Sequence, residues 1–309
     1  MKIYPGTIDV AVTNYLGELI ASEEVHTPTS DPKTVASEIS AIVAGLATPT
    51  ARFSGKCLGL GIALPGAVEV DGTIRKSLLG WDAVNFKQLV QQGVGLPVMV
   101  DNDVNVLAQG HLLFGQAQGR QNALVVTIGR GFGLGIVVRG AVYRGKNGMA
   151  AEIGHIPWTM TADYCTCGRS DCIENTVSDR AALQHYRMRR GESRVVTIET
   201  LRERCRQGDP DAVEVFRIMG REAAKAIVSL TDVFAPEVVI LSGEGLNAGH
   251  ALTDAIYGEW SSYGERMPFR PVEWVLDSWD NFHWARSAVS LVFDELIFPG
   301  AIKGPVFGP

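Results

Sequence analysis

ALVVTIGRGFGLGIVV (123–138) is the stretch of this chain that decides its fold. Apolar runs flank the glycine-rich segment GRGFGLG (129–135), and this pattern predicts two β-strands joined by a tight turn. Backbone N–H groups in such a turn can bind a phosphate, but a plain hairpin also needs glycine. The segment therefore predicts a hairpin and leaves a phosphate site as an alternative.

Strands and helices alternate along the rest of the chain. Strands are predicted in LGLGIALPG (58–66), in PVMVDNDVNV (97–106), in PEVVILSGEG (236–245), and at 8–12, 16–23 and 271–276. Apolar residues with helical spacing occur at 32–47, 105–114, 178–190, 196–207, 210–233, 247–266 and 283–297. This alternation indicates an α/β protein.

Composition and charge narrow the class of protein. Hydrophobic residues make up 46% of the chain, which is ordinary for a globular protein with a sizeable core. The net charge of -6 is a poor match for a chain whose whole surface binds nucleic acid. There is no apolar run of about 18 residues, and the N-terminal sequence lacks the pattern of a secretory signal. We therefore expect a cytoplasmic protein that does not contact a membrane.

Four potential metal ligands lie close together in the sequence: His155, Cys165, Cys167 and Cys172. Zinc prefers four tetrahedral ligands and favours thiolate and imidazole groups. The loop at 152–175 has little apolar material, so a structural zinc ion would replace a missing core there. The alternative is three thiols without a shared partner.

Carboxylates suggest where a small polar molecule would bind. Asp101, Asn102 and Asp103 follow a predicted strand, at the edge where α/β folds present reactive groups. A carboxylate there can accept a hydrogen bond from a sugar hydroxyl, and in a kinase it would take the proton of that hydroxyl. Glu152 and Glu174 flank the cysteine loop and suit a polyol in the same way. The alternative for the first group is a helix cap, because an Asp or Asn before Val104 could cap the helix that follows.

Taken in order, these segments resemble the ROK (repressor, open reading frame, kinase) family. The resemblance is carried by LGIALPGAV (60–68), VDNDVNV (100–106), EIGH (152–155), CTCGRSDCIE (165–174), PEVVILSGEG (236–245) and WARSAVSLVFDEL (284–296). The ten-residue step from the histidine to the first cysteine is the most specific part.

The resemblance implies a two-lobed, actin-like (ribonuclease-H-like) fold of the ATPase and sugar kinase type. An N-terminal α/β lobe would span 1–110 and be completed by a C-terminal helix at 283–298. A larger α/β lobe would span 111–282 and carry the zinc loop at 152–175. The family usually forms homodimers or homotetramers.

The resemblance also implies the site residues. Zinc would be bound by the ligands His155, Cys165, Cys167 and Cys172. A monosaccharide or sugar derivative would be bound by Asn102, Asp103, Glu152, His155 and Glu174. His155 would bind zinc through one ring nitrogen and face the sugar with the other.

The phosphate-binding turns depart from the family's kinases. Those kinases begin with an Asp-x-Gly-x-Thr turn, whereas the matching IYPGT (3–7) has Ile3 in place of the acid. Magnesium needs hard oxygen ligands, so this change weakens the case for Mg-ATP. The Gly-Thr-Gly turn contains Arg130, and the last glycine turn contains Glu244, which would repel phosphates. Leu78 stands where many members have an asparagine near the sugar, so the identity of the sugar stays open.

These departures favour the family's repressors, whose C-terminal part binds a sugar without phosphorylating it. We expect a sugar-binding effector domain of a transcriptional regulator. Such a regulator would contact DNA only through an N-terminal winged helix-turn-helix, which this sequence does not contain. One alternative is an ATP-dependent, glucokinase-like hexose kinase that uses Asp103 as its catalytic base and Mg-ATP as donor. Another is a purely structural protein that keeps the fold alone.

Overall fold

A computed structural model describes residues 1–46, 57–161, 164–191, 196–264, 272–277 and 282–297. In chain order its strands and helices are β1 (Lys2–Tyr4), β2 (Thr7–Thr13), β3 (Leu19–His26), α1 (Pro32–Leu46), β4 (Leu60–Leu64), β5 (Gly66–Val68), β6 (Thr73–Ser77), β7 (Asp82–Asn85), α2 (Phe86–Val94), β8 (Val98–Asn102), α3 (Asp103–Phe114), β9 (Ala123–Ile128), β10 (Phe132–Val138), β11 (Ala141–Val142), α4 (Asp179–Arg190), α5 (Ile198–Arg206), α6 (Pro210–Phe234), β12 (Val238–Ser242), α7 (His250–Gly264), β13 (Glu273–Leu276), α8 (His283–Ser287) and α9 (Val289–Val292).

The chain divides into two compact units. Unit one comprises Met1–Gln121, Gly135–Ala150 and Asp280–Pro309, and unit two comprises Asn122–Leu134 and Ala151–Trp279. The sequence placed a boundary after residue 110, which lies inside α3. Residues 111–114 complete this helix, so they group with the rest of it in unit one.

Unit one is built on a five-stranded sheet in the order β3-β2-β1-β4-β8. β1, β4 and β8 are parallel to one another, and β2 and β3 pair antiparallel with β1 and β2. A small antiparallel sheet, β5-β6-β7, follows β4 and was not predicted from the sequence. The apolar core of this unit includes Ile3, Ile62 and Phe86, all with no exposed surface.

Gly61 in β4 lets the C-terminal segment approach the sheet closely. A Cβ atom at this position would lie within van der Waals overlap of the Ala288 carbonyl oxygen, at 1.8 Å. The segment was predicted as one helix over 283–297. The structure has α8, a break at Ala288, α9 and a π-helical turn at Phe293–Ile297.

Unit two is organised around the parallel strands β9, β12 and β13. They lie side by side in the order β9-β12-β13, and every residue of β9 and β12 is buried. Apolar residues on both faces are typical of parallel strands covered by helices. The long helix α6 begins at Pro210 with Asp209 as its N-cap, which is the arrangement its sequence favours.

None of the helices in the described part of the chain has both the length and the apolar character needed to cross a membrane.

The α/β class predicted from the alternation of strands and helices is observed, with mixed sheets whose parallel strands are linked through helices.

Candidate functional site

The predicted zinc ligands come together in a loop of unit two. His155 ends the short 3-10 turn Ile153–His155, and Cys172 immediately precedes the turn Ile173–Asn175. Between them, the amide of Cys165 donates to the Arg169 carbonyl at 2.7 Å, which folds the chain back on itself. Gly168 has a φ of 90°, a conformation that favours glycine at this reversal.

Ligand atoms of all four residues lie within 4.8 Å of one another. The Cys165 sulfur is 3.4 Å from Nδ1 of His155, and the Cys167 and Cys172 sulfurs are also 3.4 Å apart. The ligand distances of tetrahedral zinc, roughly 2.0–2.3 Å, place neighbouring donors about 3.6–3.8 Å apart. The cysteines are not joined as disulfides. The donor set and its spacing therefore fit a structural zinc ion, with only small adjustments.

Two of the thiols would have to lose a proton before they could bind a metal ion. Burial, with a further contribution from hydrogen bonding to Cys167, raises the pKa of Cys172 to about 12. Burial also raises the pKa of Cys165. Without a metal these thiols stay protonated near neutral pH, so zinc binding would release protons.

Glu152 and Glu174 lie beside this cluster. Nε2 of His155 is 3.9 Å from a carboxylate oxygen of Glu152, while Nδ1 faces Cys165. The thiol of Cys165 lies 3.7 Å from Oε1 of Glu174. The same glutamate packs so closely on Gly131 and Gly154 that a Cβ at either glycine would be 2.9 Å from its Oε2. Three of the five residues predicted to contact a sugar are therefore neighbours within unit two.

Asn102 and Asp103 lie in unit one, where β8 gives way to α3. The side-chain oxygen of Asn102 accepts hydrogen bonds from the amides of Val104 and Asn105 at 2.9 and 3.2 Å. Asn102 is thus the N-cap, which was the alternative explanation for this acidic segment. Asp103 is the first residue of the helix, so it does not share a regular strand face with Asp101.

Asp101 and Asp103 have different partners. Nε of Arg144 donates to Asp101 at 2.6 Å, and the same guanidinium donates to Gln109 at 2.7 Å. Asp103 instead forms an ion pair with Lys2, whose Nζ lies 3.0 Å from Oδ2. Sequence reasoning missed both cations. The signal for Lys2 was a charged residue in an otherwise apolar first strand.

The first of the three predicted phosphate turns joins β1 to β2. Ile3, which replaces the family's acid, has no exposed surface and belongs to the core of unit one. Its side chain offers no oxygen ligand to a magnesium ion. Position 3 therefore contributes no acidic side chain to this turn.

The second turn, Gly129–Gly131, already holds a carboxylate. The backbone amide of Arg130 donates to Oε1 of Glu244 at 3.0 Å. The carboxylate lies directly on Gly129, where a Cβ would be 2.4 Å from its Cδ. The guanidinium of Arg130 is mostly exposed and reaches within 4.0 Å of the same oxygen. The carboxylate of Glu244 thus takes the hydrogen bond that this amide could otherwise donate to a phosphate.

A buried ion pair lies next to this turn and is joined to it by a backbone hydrogen bond. The amide of Asp179 donates to the Gly129 carbonyl at 2.7 Å, and its carboxylate accepts from Arg202 at 2.7 Å. Both side chains are nearly buried, at 11% and 7% exposed. Burial raises the pKa of Asp179 to about 6, although Arg202 opposes the rise. Sequence reasoning did not identify this pair, because its members lie in two separate helices.

Comparison with known proteins identifies the family. The family model described as ROK family matches residues 6–294. The chain belongs to the ROK family. A glucokinase from Streptomyces coelicolor is 29% identical over 291 residues, which cover 88% of each chain. A xylose repressor from Caldicellulosiruptor bescii is 30% identical, and the match covers 77% of this chain but only 63% of the repressor.

Solved structures give the same fold. A ROK family glucokinase from Streptomyces griseus, solved with glucose and AMPPNP, superimposes with a TM-score of 0.79 at 28% identity and covers 94% of this chain and 97% of that one. A ROK family transcriptional regulator, described as a homolog of the E. coli MLC protein, has a TM-score of 0.84 and covers 98% of this chain and 80% of that one. Its identity of 24% supports the fold alone. The actin-like sugar kinase fold predicted from the sequence is therefore confirmed.

Proposed function

We propose that this chain is the sugar-binding effector part of a ROK-family transcriptional regulator and that it does not transfer phosphate. The observation that carries the proposal is the carboxylate of Glu244 bound to the amide of Arg130 in the turn Gly129–Gly131. Phosphoryl transfer requires that the charge of the phosphates be neutralised. A fixed negative charge in that turn has the opposite effect.

Two further features support the proposal. Ile3 supplies no oxygen ligand for magnesium at the first turn. Lys2 occupies one oxygen of Asp103, the residue that a kinase would use as its base. Each feature lies in a part of the chain that the family's kinases use for the nucleotide or for proton transfer.

The sugar contacts themselves remain proposals. We propose that Glu152, His155 and Glu174, which are neighbours within unit two, form hydrogen bonds with sugar hydroxyls. We also propose that zinc binds the cluster formed by His155 and the three cysteines. With four protein ligands, such an ion would stabilise the loop and leave no open position for a catalytic water.

Assembly and DNA contact are proposed on the same family basis. We propose a homodimer or homotetramer, which analytical ultracentrifugation of the purified chain would test. Any contact with DNA would run through a helix-turn-helix segment and not through the residues described above.

Calorimetry against glucose, glucose 6-phosphate, xylose and xylose 5-phosphate tests the main proposal. We expect at least one of these ligands to bind with an affinity that Mg-ATP does not change, and we expect no ADP release. The variant Glu152→Gln should weaken that binding, while Glu199→Gln, an equal charge change at an exposed helix position, should not. Absence of binding to all four ligands would contradict the proposal.

A sugar kinase is the second candidate. It is favoured by the glucokinase relatives, one of which matches over 88% of its own length, whereas the xylose repressor matches over 63%. In that case Asp103 would take the proton of the attacking hydroxyl and Mg-ATP would be the donor. A coupled assay of ADP release with several hexoses separates the two candidates. Turnover that disappears in Asp103→Asn would establish the kinase.

A further inference from the structure

The turn Gly129–Gly131 of unit two lies between two carboxylates. On one side, Oε1 of Glu244 accepts a hydrogen bond from the Arg130 amide at 3.0 Å. On the other side, the carboxylate of Glu174 lies directly on Gly131, where a Cβ would be 2.9 Å from Oε2. The amide of the first glycine donates to the carbonyl of the last at 3.0 Å, which closes the turn. Both glutamates therefore contact the same three-residue backbone.

The chain segment that follows Glu174 is also bonded to the turn. The Asp179 amide donates to the Gly129 carbonyl at 2.7 Å. Ser178, the N-cap of α4, donates from its hydroxyl to the Glu174 carbonyl at 2.7 Å. The backbone that carries the Glu174 side chain is thus connected to the turn through these two hydrogen bonds.

The Glu174 side chain is closely packed on its other sides. A Cβ at Gly154 would lie 2.9 Å from Oε2 and 3.7 Å from Cβ of Glu174. The Cys165 thiol lies 3.7 Å from Oε1. Close-packed groups transmit small displacements because protein interiors have few voids and low compressibility. A shift of the Gly131 backbone would therefore move the Glu174 carboxylate or open a gap beside it.

We propose that Glu244 is a positioning residue for sugar recognition. Its carboxylate takes the place of an external anion at the Arg130 amide and holds the turn where Gly131 supports the Glu174 carboxylate. The inference rests on the proposed function, because Glu174 must bind a sugar hydroxyl. It explains how the turn keeps its shape without a nucleotide. The competing explanation is that Glu244 only stabilises the folded unit.

The test supplies the missing carboxylate from solution. Affinity for glucose and xylose is measured by calorimetry for the wild-type protein, Glu244→Ala and Glu244→Gln. Each protein is measured in chloride, acetate and inorganic phosphate at equal ionic strength. Glu199→Ala is the matched control, because Glu199 is an exposed glutamate of the same unit. Urea unfolding in the same three buffers shows that each variant is folded.

We expect Glu244→Ala in chloride to bind the sugar at least about fivefold more weakly than the wild-type protein, since the turn loses a charged hydrogen-bond partner. Acetate or phosphate should restore most of the affinity, because either anion can accept from the Arg130 amide. Glu244→Gln keeps an acceptor oxygen and should stay within about twofold of the wild type. The wild-type protein and Glu199→Ala should not respond to either anion.

Two results would overturn the inference. If Glu244→Ala binds the sugar as tightly as the wild type in chloride, the turn does not set the position of Glu174. If the affinity falls and neither anion restores it, Glu244 has a structural role alone.

Backbone amide NMR without sugar separates a failure of this inference from a failure of the proposed function. Wild-type protein that binds neither sugar would contradict the proposed function, and the positioning is then read from the amide resonances of Gly154 and Glu174. Glu244→Ala should shift both resonances, and acetate should return them toward the wild-type positions. If neither resonance moves, Glu244 does not act on Glu174 and the inference is wrong.

Discussion

Replacement of Glu244 with alanine should convert the turn Gly129–Gly131 into an anion site. In the wild-type protein the carboxylate of Glu244 accepts from the Arg130 amide at 3.0 Å and lies against Gly129. Alanine removes both the charge and the acceptor. The released amide, together with the glycine backbone around it, then faces any phosphate that enters the turn.

The size of the effect follows from that contact. A hydrogen bond to a charged group contributes about 1.5–3 kcal/mol. Transferred from Glu244 to a phosphate, this corresponds to a gain of about tenfold to a hundredfold in affinity. The loss of the internal bond should lower the free energy of unfolding by about 1–2 kcal/mol, because the glutamate side chain is 23% exposed.

Calorimetry with Mg-free ATP and with inorganic phosphate measures the gain. Glu244→Gln is informative because the amide oxygen still accepts from Arg130 while the charge is gone, so we expect only a small gain. Glu199→Ala removes a glutamate from the exposed first turn of α5 and serves as the control. An affinity of Glu244→Ala within about twofold of the wild type would refute the view that this carboxylate keeps anions out of the turn.

Three further outcomes are expected. Cys172→Ala should abolish zinc binding, measured by elemental analysis, and should lower the stability of unit two by several kcal/mol. The zinc affinity of the wild-type protein should fall as pH falls, because the Cys172 thiol, whose pKa is raised to about 12, must lose a proton to bind the metal. Arg202→Leu should lower the free energy of unfolding, measured in urea, by about 3–5 kcal/mol, because it leaves Asp179 buried without a counter-ion. Adding Asp179→Asn should recover much of this loss. No recovery would mean that the two residues are not coupled. Gly61→Ala should destabilise the protein by at least about 2 kcal/mol, because the new Cβ would lie 1.8 Å from a backbone carbonyl oxygen. Gly258→Ala is the control and should be tolerated, because the space around Gly258 is open. Equal shifts of the thermal unfolding midpoint in the two variants would be inconsistent with the close approach at Gly61.

Much of the fold could be predicted because its signals are local. The continuous apolar runs of β9 and β12 are typical of buried parallel strands. The Asp-Pro pair at 209–210 is typical of a helix start and marks the beginning of α6. Short elements gave weaker signals. The strands β5 to β7 were missed, since runs of three to five residues carry little periodicity.

The clustering of His155, Cys165, Cys167 and Cys172 was also predictable from the sequence. The four residues fall within the single loop 152–175, so a short stretch of chain brings them together without help from distant strands. The capping role of Asn102 belongs to the same kind of information, because a cap bonds only to residues two or three positions further on.

The sequence by itself determined the α/β class, the family and the grouping of one histidine and three cysteines in a single loop, because each is encoded in neighbouring residues. Only the tertiary structure decided what the charged residues do. Lys2 meets Asp103 because β1, β4 and β8 lie side by side in one sheet, and Glu244 meets Arg130 across 114 residues because β12 pairs with β9. Such pairs depend on strand order, which no local pattern of residues specifies.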